Sequence, residues 1–224
     1  MAHQLKMNPT KSFLGVSSGK SLGFIITSKG IHLDLDKIKA IQDMQPLNNF
    51  KKLRSLQGRL AYIHRLIVNM SGRCQPFTCL MKKGISFVMD DACQKAFENI
   101  KAYLTKLPIL ASPVSGKPFL LYVRAMDHSL GALLAQKKDE GAEQAIYYLS
   151  RILIDAESRY TVEKECLPFI FAIQKTRHYL LRQTIQVISR DNSLRILMTK
   201  QGFLNSRLAN WAILLSQYDM TFVP

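Results

Sequence analysis

Phe119-Leu120-Leu121-Tyr122-Val123, Leu130-Gly131-Ala132-Leu133-Leu134-Ala135 and Ala145-Ile146-Tyr147-Tyr148-Leu149 succeed one another at short spacing, and they decide the fold. Each is a short apolar run bounded by turn residues, and three such runs in succession predict strands joined by hairpins. From about Tyr160 to Leu181 the apolar period becomes helical. Thr184 to Ser189 then predicts a fourth strand, and the residues from about Asp191 a further helix. The order βββαβα, with a helical crossover before the fourth strand, specifies a mixed sheet. Just upstream, Pro113-Val114-Ser115-Gly116 marks a domain boundary.

Between Asp36 and Leu110 the pattern is helical instead. A short helix over Asp36–Ile41 ends before Pro46, and a longer one comes next, capped by Asn48 or Asn49. Leu53, Leu56, Leu60, Ile63 and Ile67 recur at spacings of three and four and predict its core stripe. On the opposite side, at about 100° per residue, Lys51, Arg54, Gly58 and Arg65 line up as a basic face with a gap. The gap lets a sugar-phosphate backbone approach the helix; an ordinary solvated face is the competing reading. A third helix is expected from Asp90 or Asp91, with Ala96, Phe97, Ile100 and Leu104 facing the core before Pro108. Met89-Asp90-Asp91 looks like a polymerase metal-binding turn, but a helix starts at once, so capping explains the two acids better. Nearer the N-terminus, Phe13–Val16 and Leu22–Ile26 flank Ser17-Ser18-Gly19-Lys20 and predict a β-hairpin. It is too short to fold alone, so it packs on the residues downstream of it or is the stub of a larger domain.

The composition is that of a folded chain, with 47% hydrophobic and 21% charged residues. Thirty-one Lys and Arg against 16 Asp and Glu leave +15, with a pI near 9.8. Such an excess favours a polyanion, nucleic acid first and an anionic membrane surface second. Cys74, Cys79, Cys93 and Cys166 lack the paired spacing of a zinc site, so we expect reduced thiols and no metal. No apolar signal core and no membrane-length stretch is present, so the expectation is an intracellular setting, a cytoplasmic particle or the nucleus, without membrane attachment.

Many spaced motifs, in order, carry a family resemblance. Leu22-Gly23-Phe24-Ile25 with Gly30-Ile31 resembles a primer-grip hairpin, and Leu56-Gln57-Gly58-Arg59-Leu60 with Tyr62 and Arg65 resembles a thumb helix. Cys93, Ala96-Phe97 and Lys101 match the next helix. Gly131–Gln136, Tyr148-Leu149-Ser150-Arg151, Glu157, Tyr160, Glu163-Lys164-Glu165, Arg177-His178-Tyr179-Leu180, Arg207-Leu208-Ala209 and Trp211 match an RNase H-like part. Together they resemble the polymerase of gypsy-type LTR retrotransposons, the plant form in particular.

The resemblance implies an α+β and α/β architecture in three stretches. Residues 1–35 would be the end of a palm with its primer-grip hairpin, 36–115 a helical thumb, and 116–224 an RNase H-like connection or tether with a mixed five-stranded sheet flanked by helices. Palm carboxylates would lie upstream and an active RNase H downstream. Leu22, Gly23, Lys51, Arg54, Gly58 and Arg65 would contact an RNA/DNA hybrid or duplex. The remaining Pol domains, namely palm and fingers, downstream RNase H and integrase, would be the protein partners. Magnesium would serve the parent polymerase, with no cofactor needed by this segment.

An RNase H site needs several carboxylates converging on two divalent ions. Aligning on Gly131, the family's first Asp falls on Arg124; aligning on Leu194, a later Asp falls on Arg190, and Glu165 alone remains. A guanidinium repels a cation and suits a phosphate, so Arg124 and Arg190 could grip a backbone or pair with Glu165. Asp127 lies in the turn after the first strand and Asp191 one position past its match, which on a strand faces the other way. The expectation is therefore a binding module without an intact catalytic set. Two alternatives stand beside it: an active ribonuclease H cutting the RNA strand of hybrids, and a domesticated adapter that exchanged nucleic acid for a protein partner.

Overall fold

The computed structural model describes residues 16–81, 86–160, 162–189 and 206–223. Strands β1 (Ser18–Ser21), β2 (Phe24–Thr27) and β3 (Gly30–Leu33) form an antiparallel meander. Helices α1 (Leu35–Gln42), α2 (Phe50–Ile63), α3 (Met70–Leu80) and α4 (Asp91–Leu104) succeed it. Next come β4 (Phe119–Ala125), β5 (Ser129–Lys137), β6 (Glu143–Ile152), α5 (Asp155–Ser158), α6 (Val162–Leu180), β7 (Thr184–Ile188), α7 (Ser206–Leu215) and β8 (Asp219–Val223).

The first hairpin is displaced from its expected place. Its turn is Leu22-Gly23, with Ser21 paired to Phe24, rather than Ser17–Lys20; residues 13–15 lie outside the described residues and Val16 is not in a strand. Leu22 and Gly23 have φ of 47° and 72°. Two successive positive φ values close a two-residue loop whose twist matches the flanking strands, and Gly at the second place makes it accessible. Polarity around Ser17–Lys20 drew the turn four residues too early.

Asp34 and Asn49 cap α1 and α2, and Asp90 caps α4 by accepting from the Cys93 backbone N–H at 2.8 Å. The Met-Asp-Asp sequence is thus a helix start, as its spacing indicated. Helix α3 was not foreseen, so the expected third helix is the fourth. Gly72 and Pro76 both disfavour a helix interior. Burial of Phe77 and Leu80 in the helical core overrides them, with the Pro76 carbonyl accepting from the Cys93 thiol at 3.4 Å.

Leu53, Leu56, Leu60 and Ile63 of α2 are buried with Ile41, Phe77, Phe97, Ile100, Leu104 and Leu110, one core for the meander and helices. Ile67 joins them from beyond the helix, since α2 stops at Ile63 and His64–Leu66 tightens into a 3-10 turn.

The large sheet has the order β6-β5-β4-β7-β8, with β4 antiparallel to β5 and parallel to β7. It is mixed and five-stranded, and β8, which no apolar run announced, completes it beside β7. The helix expected near Asp191 lies outside the described residues. Leu120 and Leu121 of β4 are both buried, so this central strand is covered on both faces. Phe119, Leu121, Val123 and Val187 pack against Phe169 and Ile173 of α6 and Leu208 and Leu215 of α7.

The two cores meet along β6. Ala111 N–H donates to the Ala145 carbonyl at 2.7 Å, Ser71 N–H donates to Ser150 Oγ at 3.0 Å, and His64 Nε2 lies 2.9 Å from the Tyr147 hydroxyl. Gln136, 5% exposed, holds the incoming segment: its amide donates to the Val114 and Lys117 carbonyls at 3.1 and 2.9 Å and accepts from Val114 N–H at 2.9 Å. Gln136→Leu keeps the volume but orphans three backbone groups, so we expect a loss of about 2 kcal/mol, read as a lower urea midpoint at unchanged slope.

Candidate nucleic-acid interface

Helix α2 supplies the first part of the site. Asn49 Oδ1 accepts from Lys52 N–H at 2.9 Å and fixes the helix start, so Lys51 and Arg54 project from its exposed face. No ion pair joins either to a carboxylate among the described residues. Gly58 is exposed on the same helix, and a Cβ added there would meet nothing within 4 Å. With Lys37, Ala40, Ser55, Arg59, Tyr62 and Ile63 it lines a groove of about 470 Å³ between α1 and α2. The Arg59 guanidinium donates to the Ala40 carbonyl and ties the two helices beneath this groove.

Leu22 and Gly23 stand next to this helix. The Tyr62 hydroxyl donates to the Leu22 carbonyl, and the Phe24 and Tyr62 rings stack with centroids 5.6 Å apart. A Cβ on Gly23 would lie 2.5 Å from the Tyr62 oxygen, so the close approach of hairpin to helix needs glycine there. Leu22 itself is 85% exposed at the tip.

Arg65 does not continue the face of Lys51, Arg54 and Gly58. Helical spacing would have placed it there, but α2 ends at Ile63 and the next turn carries Arg65 over the Phe24 ring, 4.1 Å from its centroid. Its Nε is buried without a hydrogen-bond partner.

In the large sheet, Arg124 is exposed near the C-terminal end of β4, opposite Gly131 on β5. Asp127 is exposed in the turn after it, and Lys164 Nζ donates to the Asp127 carbonyl at 3.3 Å, which brings the start of α6 to the end of β4. Glu165 is half-buried in the first turn of α6. Arg190 and Asp191 lie outside the described residues. Among the described residues no group of three or more His, Cys, Asp or Glu is placed to hold a metal ion.

Glu157 anchors the segment between β6 and α6. It accepts from Arg151 Nη1 at 2.7 Å and Nη2 at 2.9 Å, and from Ile154 N–H at 3.0 Å. The Arg151 hydrogen bonds, against the opposing effect of burial, hold its carboxyl below the ordinary glutamate range. A depressed folded-state value contributes stability that is present above the unfolded-state value and lost as pH falls through the folded one. We expect Glu157→Gln to flatten the acid limb of the stability curve and to leave its alkaline limb unchanged, measured by thermal melts across pH.

Sequence reasoning did not find His64, Tyr147 and Tyr179 as neighbours. Tyr147 meets the His64 ring at 5.8 Å and the Tyr179 ring at 6.3 Å, joining the 3-10 turn, β6 and α6. Nothing in the local pattern of any of the three announces the others.

A mixed five-stranded sheet of order β6-β5-β4-β7-β8, with a helical crossover into β7, defines an RNase H-like domain. Residues 89–187 match the family described as the RNase H-like domain found in reverse transcriptase. Nearly the whole chain, 98%, is 29% identical to the retrovirus-related Pol polyprotein from transposon opus of Drosophila melanogaster, and 88% is 33% identical to that from transposon 297 of the same organism. The chain spans 23% and 18% of those polyproteins. Its fold is similar to that of a part of the foamy viral protease-reverse transcriptase solved in complex with an RNA/DNA hybrid, with a TM-score of 0.77 at 22% identity over 92% of this chain and 29% of that one.

Proposed function

We propose that this chain is a segment of a retrotransposon Pol polyprotein of gypsy type, comprising the palm's last hairpin, a thumb and a degenerate RNase H-like connection. It holds template-primer and supports RNA-directed DNA synthesis by the rest of the polyprotein, without cutting the RNA strand itself. The observation that carries the binding role is the unpaired basic face of α2 beside Gly58. Lys51 and Arg54 have no carboxylate partner among the described residues, and open space above Gly58 admits a backbone to the helix. A net charge of +15 supports the same ligand. Similarity to Pol polyproteins and the fold shared with a reverse transcriptase that binds an RNA/DNA hybrid agree with it.

Lost catalysis is supported by Arg124, a cation exposed near the end of the central strand where the family's first Asp would stand. A fixed guanidinium there opposes divalent-ion binding and suits a phosphate oxygen. Glu165 is then a remnant, and Arg190 a second lost ligand. Incubating the chain with an end-labelled RNA/DNA hybrid and magnesium should leave the RNA intact. Cleavage that disappears in Glu165→Gln would overturn the degenerate reading in favour of an active ribonuclease H.

A further inference from the structure

A groove of about 620 Å³ runs between α3 and α4, with Gly72, Arg73 and Pro76 on one wall and Lys95, Asn99 and Tyr103 on the other. The three residues of α4 are spaced by four, so they share one side of the helix. Lys95 and Asn99 are exposed, and Arg73 and Tyr103 are half-buried. Pro76 gives the groove an acceptor. A residue inside a helix donates its N–H to the carbonyl four residues back, and proline has no N–H to give the Gly72 carbonyl.

Arg73 supplies a fixed donor. Its Nε donates to the Val68 carbonyl at 2.9 Å, and its guanidinium lies 3.9 Å from the Tyr103 ring centroid. Tyr103 is itself held, its hydroxyl accepting from Val68 N–H at 3.1 Å and donating to the Leu66 carbonyl at 3.4 Å. With Nε so engaged, the guanidinium presents its Nη pair. Neither Arg73 nor Lys95 forms an ion pair with a carboxylate among the described residues. No acidic residue among them lines the groove, and Glu98, three residues on from Lys95, accepts from Gln94 Nε2 at 2.6 Å instead.

We propose that this groove docks an extended acidic segment of a separate protein chain. A carboxylate of the segment takes the Arg73 Nη pair and the Lys95 ammonium, while one of its backbone N–H groups donates to the Gly72 carbonyl. The surface shares no residue with the basic face of α2 and does not rest on the nucleic-acid reading. Donor and acceptor count favours a peptide. A phosphodiester backbone brings acceptors alone, so it would meet the cations and leave the Gly72 carbonyl unanswered. A peptide brings an N–H at each residue and, at Asp or Glu, a planar carboxylate that matches a guanidinium end-on. The Asn99 amide, with both donor and acceptor, suits a peptide unit as well. Charge selects the partner: +15 on each copy opposes self-association through a cationic groove and draws an acidic chain.

The test titrates the full chain, by fluorescence anisotropy, into a fluorescein-labelled peptide of about ten residues alternating Asp and Val, which favours an extended chain with its carboxylates on one side. Saturable binding is expected, about tenfold tighter than that of the same peptide with Asn for Asp. Lys95→Glu alters an exposed side chain and should weaken the Asp peptide about tenfold, while reversal of Lys51 and Arg54 leaves it within about twofold. Pro76→Ala returns an N–H to the Gly72 carbonyl, so it should raise the thermal midpoint and lower peptide affinity together. A general attraction to a basic chain does not produce that pair of effects. Asp and Asn peptides that bind alike, an affinity that Lys95→Glu leaves unchanged, or one that Pro76→Ala leaves unchanged overturns the proposal. So does an RNA/DNA hybrid that displaces the peptide and is itself weakened about tenfold by Lys95→Glu, which makes the groove a nucleic-acid site. A chain that sediments as a dimer dissolved by Lys95→Glu overturns it in favour of an interface between copies.

Discussion

Gly30→Val should be the most damaging single substitution in the meander, costing about 3 kcal/mol or more and lowering the thermal midpoint accordingly. Gly30 has φ of +132°, a conformation that a β-branched residue rarely enters. An added Cβ would stand 2.3 Å from the Leu110 carbonyl oxygen and 2.9 Å from the Ile109 side chain. That carbonyl cannot move aside cheaply, because it accepts from Ile31 N–H at 2.7 Å while Leu110 N–H donates back to the Ile31 carbonyl at 3.2 Å. Leu110 is also fully buried in the helical core. The substitution must therefore separate β3 from the segment after α4, and differential scanning calorimetry of the wild type and variant measures the cost. A midpoint indistinguishable from wild type would contradict the close packing of Gly30 on Leu110.

The second large effect is on binding. Reversing Lys51 and Arg54 together, to Glu, should weaken a hybrid or DNA duplex about 100-fold at moderate salt and reduce the salt slope by about 1.8, as expected for two lost phosphate contacts. Both side chains are exposed, so the melting curve should barely change. Gly58→Ala sharpens the experiment because its two effects have opposite signs. The site is open, so alanine should stabilise α2 by up to about 1 kcal/mol through helix propensity. The same methyl group occupies the space a backbone would use, and the duplex should bind more weakly. An ordinary solvated face would show the gain in stability and no loss of binding. An adapter for a protein partner would likewise leave duplex affinity and salt slope untouched in the charge reversal.

Much of the fold was present in the one-dimensional pattern. The three apolar runs became β4, β5 and β6, each extended by a few residues at its ends, because alternation and turn residues act locally. The stripe Leu53, Leu56, Leu60 and Ile63 became the buried side of α2 for the same reason. Helix α3 was hidden, since Gly72 and Pro76 speak locally against a helix that only the burial of Phe77 and Leu80 sustains. Strand β8 was hidden too, because a five-residue strand at a sheet edge is held by its partner β7 more than by its own sequence.

The candidate interface divides along the same line. Sequence alone determined the charge of the chain, a helix start at Asn48 or Asn49 and another at Asp90 or Asp91, the basic residues of α2, and the positions of Arg124 and Arg190, because residue identity and helical period are local properties. Only tertiary structure decided that α2 stops at Ile63, that Arg65 leaves its face to cover Phe24, and that His64, Tyr147 and Tyr179 meet across β6. Those placements depend on where two hydrophobic cores come to rest against each other, which contacts between residues distant along the chain determine.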